Sequence, residues 1–89
     1  MLELKTQRKF DKDLRLALRR GKDKEKLRTI IESLRKGEPL AARHRPHRLS
    51  GEWSPAFECH IEPDWLPIYA VTKTELILIR TGSHSDLFG

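Results

Sequence analysis

Cysteine is almost missing from this chain: Cys59 is the one thiol in 89 residues. A lone cysteine closes no internal disulfide and lacks the second thiol of a zinc or redox motif, so disulfide scaffolds and dithiol chemistry are excluded and a reducing, cytoplasmic setting is expected. Long apolar runs are missing too. No stretch approaches about 18 consecutive apolar residues, and Met1-Leu2-Glu3-Leu4-Lys5 lacks the charged-then-apolar layout of a signal peptide, so no membrane partner is expected. Eighty-nine residues leave room for one modest core, which predicts a single domain over 1–89 with its site on the surface. No repeat or low-complexity segment is present. Acidic residues are scarce in the first half: residues 1–50 carry 16 of the 18 Lys and Arg against 7 acids, whereas residues 51–89 carry 2 against 6. That asymmetry describes either a cationic surface for a polyanion or an acidic protein, or simply two solvated helix faces.

What is present has clear periodicity. Leu2 to Lys5 alternate in the manner of a short opening strand. Phe10, Leu14, Ala17 and Leu18 then form one apolar stripe on a basic helix that stops at Gly21. Asp23 caps a second helix carrying Leu27, Ile30, Ile31 and Leu34, and Gly37 and Pro39 end it. Residues 38–56, with Pro39, Pro46, Gly51 and Pro55, read as a long loop with a brief extended piece at His47-Arg48-Leu49. Beyond it, Phe57, Cys59 and Ile61 alternate with Glu58, His60 and Glu62, placing His60 opposite the core face. The runs Trp65 to Val71 and Leu76 to Arg80 predict a hairpin. The expected fold class is α+β, an N-terminal helical hairpin packed on a twisted antiparallel β-sheet.

His47, His60 and His84 fall in or beside the sheet half, with Asp64 and Arg80 near them in sequence. Such a set suits cleavage of RNA without a metal. One imidazole removes the 2′-hydroxyl proton, another protonates the departing 5′ oxygen, and cations stabilise the phosphorane. Histidine titrates near pH 6.5 and can do either. The plainer reading of His60 is a solvated surface histidine, and of Arg80 a strand-end charge. Trp53, Trp65 and Tyr69 have the character of core aromatics, although a partly exposed one could stack on a base. His44 and His47 have H-x-x-H spacing, but without cysteines or a helical frame no metal or other cofactor is expected.

The stretch His47-Arg48-Leu49-Ser50-Gly51-Glu52-Trp53, followed by Glu58-Cys59-His60-Ile61-Glu62-Pro63-Asp64-Trp65 and Ile68-Tyr69, resembles the YafQ family of the RelE/ParE toxin superfamily. The ending Arg80-Thr81-Gly82-Ser83-His84-Ser85-Asp86-Leu87-Phe88 resembles the same family. The likeness covers essentially the whole chain and is generic only in the basic helices. It implies a RelE-like fold and a ribosome-dependent endoribonuclease, an mRNA interferase, acting on messenger RNA in the ribosomal decoding site. Its implied partners are ribosomal RNA, a cognate antitoxin and, only through the antitoxin complex, operator DNA. By matching positions, His47, His60, Asp64 and His84 are implied as the acid–base set. Arg80 is implied as a phosphate contact and Trp65 and Phe88 as substrate-positioning residues, and Arg48 is counted with them as substrate-binding. The expected roles are His84 as the acid on the leaving oxygen and His60, aligned by Asp64, as the group that activates the hydroxyl.

Two positions depart from the family pattern. Phe57 stands where many relatives carry an arginine, a phosphate clamp that Arg45 or Arg48 would have to replace. Pro67 stands inside a strand, where it requires an edge or a bulge. The rival readings are a ParE-like toxin that binds gyrase, which would not call for clustered histidines, and a catalytically weakened relative that acts mainly as an antitoxin-bound corepressor.

Overall fold

The computed structural model describes Met1–Gly89. The chain forms β1 (Glu3–Thr6), α1 (Arg8–Arg19), α2 (Lys24–Lys36), β2 (His47–Arg48), β3 (Phe57–Glu58), β4 (Leu66–Val71), β5 (Glu75–Gly82) and α3 (His84–Phe88), with 3-10 turns at Ala42–His44 and Gly51–Trp53. No helix is long and apolar enough to cross a membrane.

The helical hairpin forms where its stripes and caps predict. Phe10 and Ala17 of α1 and Leu27 and Ile30 of α2 are buried. Asp23 caps α2 by accepting from the Glu25 N–H at 2.9 Å. Gly37 ends it in the left-handed region (φ 71°), where the Gly37 and Glu38 N–H groups reach the Leu34 and Ser33 carbonyls, a geometry that glycine takes up without steric cost.

The five strands run in the order β1-β5-β4-β3-β2. The α+β layout is as expected, but the sheet is mixed: β1 lies parallel to β5, pairing Glu3 with Glu75 and Thr6 with Leu78. Parallel neighbours require a long crossover, and here nearly the whole chain lies between the two strands. The expectation about Pro67 holds in its second form. Pro67 sits opposite Thr81, beside a register shift at Ile68/Tyr69, and β3 pairs only with Ile68 and Tyr69, so Pro67 lies beyond its end.

Each face of the sheet has its own core. Phe10, Leu27, Ile30, Trp65, Tyr69 and Leu78 belong to the core beneath the hairpin, and Ala56, Leu66, Ile68 and Leu87 to a smaller one that includes α3. The alternation of Phe57, Cys59 and Ile61 survives, since Cys59 and Ile61 are buried and Phe57 half-buried, although regular pairing stops at Glu58. The element that the sequence reading did not anticipate is α3. Ser83 and Asp86 cap it reciprocally, the Asp86 N–H donating to Ser83 Oγ and the Ser83 N–H to Asp86 Oδ2, each at 3.0 Å. His84 therefore begins a helix and does not lie in an open turn.

Candidate active site

Residues that alternate in a strand point to opposite faces, and this rule sorts the candidates. Glu58 and His60 leave the β3 segment on one side, Phe57 on the other. His47 belongs with the first pair: its Nε2 lies 2.6 Å from Glu58 Oε1 and its Nδ1 3.0 Å from the Arg45 carbonyl oxygen. His60 is fixed through its backbone. Its N–H donates to the His44 carbonyl at 2.6 Å, and His44 Nδ1–H donates back to the His60 carbonyl at 2.7 Å. His44 thus brackets His60 instead of pairing with His47 in an H-x-x-H ligand set. The His60 and His84 rings stand 5.4 Å apart, and Phe88, 44% exposed, lies 6.4 Å from His84 and edge-on to Trp53 at 6.2 Å.

Asp64 serves His84. Asp64 Oδ1 accepts from the His84 backbone N–H at 2.9 Å and from Nδ1–H at 2.7 Å. The expected alignment of His60 by Asp64 is therefore corrected. Those two bonds, the backbone one foremost, hold the Asp64 carboxyl below its usual range, because a carboxylate that accepts hydrogen bonds favours its charged form. With Nδ1 engaged, His84 presents Nε2 outward. His60 differs in kind: its Nδ1 is buried without a partner, and burial, only partly offset by Glu58, lowers its proton affinity below that of an ordinary imidazole.

Two of the remaining assignments change. Trp65 is 1% exposed and donates its indole N–H to Thr81 Oγ1 at 3.0 Å, so it is first a core residue, one that closes the wall of the cleft beside Asp64 and Arg80. Arg48 follows His47 in β2 and points the other way, its guanidinium 5.5 Å from the centroid of Phe57, which itself stacks on Tyr69. Arg48 is thus not gathered with the histidines, and the Phe57 position is a packed aromatic place, not a vacant clamp facing them. Arg80 leaves β5 on the α1 side and is held by both oxygens of Asp13, Nε at 2.6 Å and Nη2 at 3.2 Å.

That guanidinium lines a cleft with Arg20, Lys22 and Asp64, so the cleft reaches the histidines through Asp64. Its cations are all spoken for: Arg20 pairs with Asp86, Lys22 with Glu62 and Arg80 with Asp13. A phosphate bound there would have to compete with those carboxylates. Asp13, Glu58 and His44 are the participants that sequence reasoning missed. Only Glu58 left a signal, its period-two placement with His60. No three His, Cys, Asp or Glu side chains are gathered as a metal-ligand set.

The chain has counterparts among known proteins. The family model described as the bacterial toxin of a type II toxin–antitoxin system, YafQ, matches residues 2–89. The mRNA interferase toxin YafQ of Escherichia coli K12 is 41% identical over 81 residues, covering 90% of this chain and 88% of that protein. In the crystal structure of the E. coli DinJ–YafQ complex, the matching chain is 37% identical, with a TM-score of 0.91 and full coverage of both chains. A metal-bound toxin from Helicobacter pylori is 40% identical with a TM-score of 0.94, over 99% of this chain and 100% of that one. A family match across nearly the entire length, together with this level of identity and superposition, means that the chain belongs to the YafQ family of type II toxin–antitoxin toxins.

Proposed function

We propose that this protein is the toxin of a type II pair and an mRNA interferase, an endoribonuclease that cuts messenger RNA in the ribosomal decoding site by acid–base chemistry through the 2′-hydroxyl. The observation that carries the mechanism is the His60/His84 pair, two rings 5.4 Å apart in unlike surroundings. His60, which burial keeps neutral more readily than an ordinary imidazole, suits a base that acts through Nε2, since its Nδ1 is enclosed. His84, fixed at Nδ1 by Asp64, has Nε2 free to carry the proton for the acid step.

The base takes the 2′-hydroxyl proton as that oxygen forms its bond to phosphorus. The bond to the 5′ oxygen then breaks, and this oxygen leaves with the proton from His84 Nε2. The products are a 2′,3′-cyclic phosphate, or its hydrolysed form, and a 5′-hydroxyl end. His47 completes the acid–base set, and Phe88 offers an exposed ring against which a base can stack. Arg80 stabilises the phosphorane by exchanging Asp13 for phosphate oxygens.

The basic first half supplies the surface for ribosomal RNA, an electrostatic contact that weakens steeply with salt. An acidic antitoxin segment would be received by the same charge, with operator DNA contacted only through that complex, and the setting is cytoplasmic. A gyrase-binding mode has no use for the His60/His84 pair.

Two measurements test this reading. Purified protein incubated with a defined message should produce internal 5′-hydroxyl ends when ribosomes are present and few or none on free RNA. Equal cutting of free RNA would refute ribosome dependence, and an absence of cutting in both would refute the nuclease. The second is a pH profile. A base must be neutral to act, and a lowered proton affinity keeps His60 neutral further into acid. The acidic limb of single-turnover cleavage should therefore fall below the ordinary imidazole value of about 6.5, and a limb at or above that value would remove His60 from the base role.

A further inference from the structure

Glu58 takes part in none of the steps above, yet its placement is costly. It is 5% exposed, and carboxylates are rarely so enclosed unless they are fully paired. Its pairing is incomplete. Oε1 meets His47 Nε2 at 2.6 Å, while Oε2 is buried with no partner. The other buried side-chain atom without a partner is His60 Nδ1, two residues along on the same side of the chain. Two orphaned polar atoms on the floor of one site mark a place where the fold gives up stability, and a glutamine or an apolar residue opposite Ile68 would serve packing better.

The contacts of His47 are unequal. One nitrogen faces a buried carboxylate at 2.6 Å; the other faces, at 3.0 Å, the backbone oxygen of Arg45, an exposed loop residue that itself holds a left-handed backbone (φ 42°). A short charge-assisted bond outlasts a longer neutral one at the surface.

We infer that Glu58 is a positioning residue for His47: by accepting from Nε2–H it fixes the ring and its tautomer, so that Nδ1, once the Arg45 carbonyl gives it up, is the nitrogen that exchanges its proton with the substrate. The role is that of the carboxylate behind a general base, which orients the imidazole without meeting substrate. This inference rests on the reading of His47 as a member of the acid–base set. It assigns separate carboxylates to two of the histidines, Asp64 to Nδ1 of His84 and Glu58 to Nε2 of His47, so that the nitrogens left for the substrate are of opposite kinds.

The test is a cycle of Glu58→Gln, His47→Ala and the double variant, with single-turnover cleavage of ribosome-bound message and the imidazole 15N shifts of His47 as readouts. Glu58→Gln should slow cleavage by at least about tenfold and by no more than His47→Ala does, since a group acting through another cannot contribute more than that group. In the His47→Ala background it should cost nothing further. The 15N spectrum of neutral His47 should show the proton on Nε2 in the wild type and a mixture of tautomers in Glu58→Gln. Glu58→Asp, which shortens the arm while keeping the buried charge, should reproduce the loss, and circular dichroism checks that each variant folds.

A wild-type rate in Glu58→Gln would overturn the inference, as would an equal loss in both backgrounds, which would make Glu58 merely structural. Full activity in His47→Ala would have another meaning. It would remove His47 from the reaction and the inference with it, while leaving the His60/His84 pair standing.

Discussion

His84→Ala should yield a folded protein that no longer cuts RNA. Loss of one general acid costs about 10²- to 10⁴-fold in rate, which on expression means loss of growth arrest. The fold should be indifferent. The His84 side chain is 50% exposed, its ring contacts are Asp64, His60 and Phe88, and the bond that anchors the start of α3, backbone N–H to Asp64 Oδ1, remains available to alanine. Substitutions of this kind stay within about 0.5 kcal/mol in stability. Asp64→Asn offers a graded comparison. Its amide oxygen can still accept from both His84 donors, so cleavage should fall by less than in His84→Ala. The measurements are single-turnover cleavage of ribosome-bound message and thermal unfolding. A His84→Ala rate within about threefold of wild type is far smaller than any general-acid effect and would end the assignment, and so would an Asp64→Asn loss exceeding that of His84→Ala.

The reciprocal placement of Asp64 and His84 also shows what the sequence could and could not reveal. The hairpin was legible because its information is local: Phe10, Leu14 and Ala17 repeat at helical spacing, and Asp23 and Gly37 are cap residues at the right ends. The inward set Phe57, Cys59 and Ile61 was legible for the same reason. Arg48 could have been corrected from the sequence as well, since a residue next to His47 in a strand cannot share its face. The short helix at His84 had a signature in Ser83-His84-Ser85-Asp86, a reciprocal cap, but its five residues leave no periodicity to read.

Long-range partners are different. Asp13 meets Arg80 across 67 residues and Asp64 meets His84 across 20, and no spacing rule joins them. The parallel seat of β1 is of this class too, because it depends on where β5 returns. The three histidines were visible as a set, but which carboxylate stands behind which ring is decided by the tertiary fold alone.

Trp65 shows why that matters for interpreting variants, since its family-implied place near substrate and its structural place in the core predict different experiments. Trp65→Ala should cost about 3–5 kcal/mol, the usual range for emptying a fully buried aromatic site, out of a total stability of about 5–15 kcal/mol. At this chain length each kcal/mol shifts Tm by about 4–8 °C, so Tm should drop by more than about 12 °C. Toxicity should be lost in step with folded protein. Trp65→Phe keeps most of the volume and gives up the bond to Thr81 Oγ1, a loss of about 1–2 kcal/mol. It should retain cleavage near the wild-type rate once corrected for the folded fraction, because the ring it keeps still packs the core beneath the site. A well-folded Trp65→Phe with cleavage reduced a hundredfold would contradict the buried assignment and return the indole to the substrate. Binding of an antitoxin to the folded form alone should raise the Tm of Trp65→Ala by mass action without restoring the rate of His84→Ala, so the two variants separate a site held together by its core from a site missing its acid.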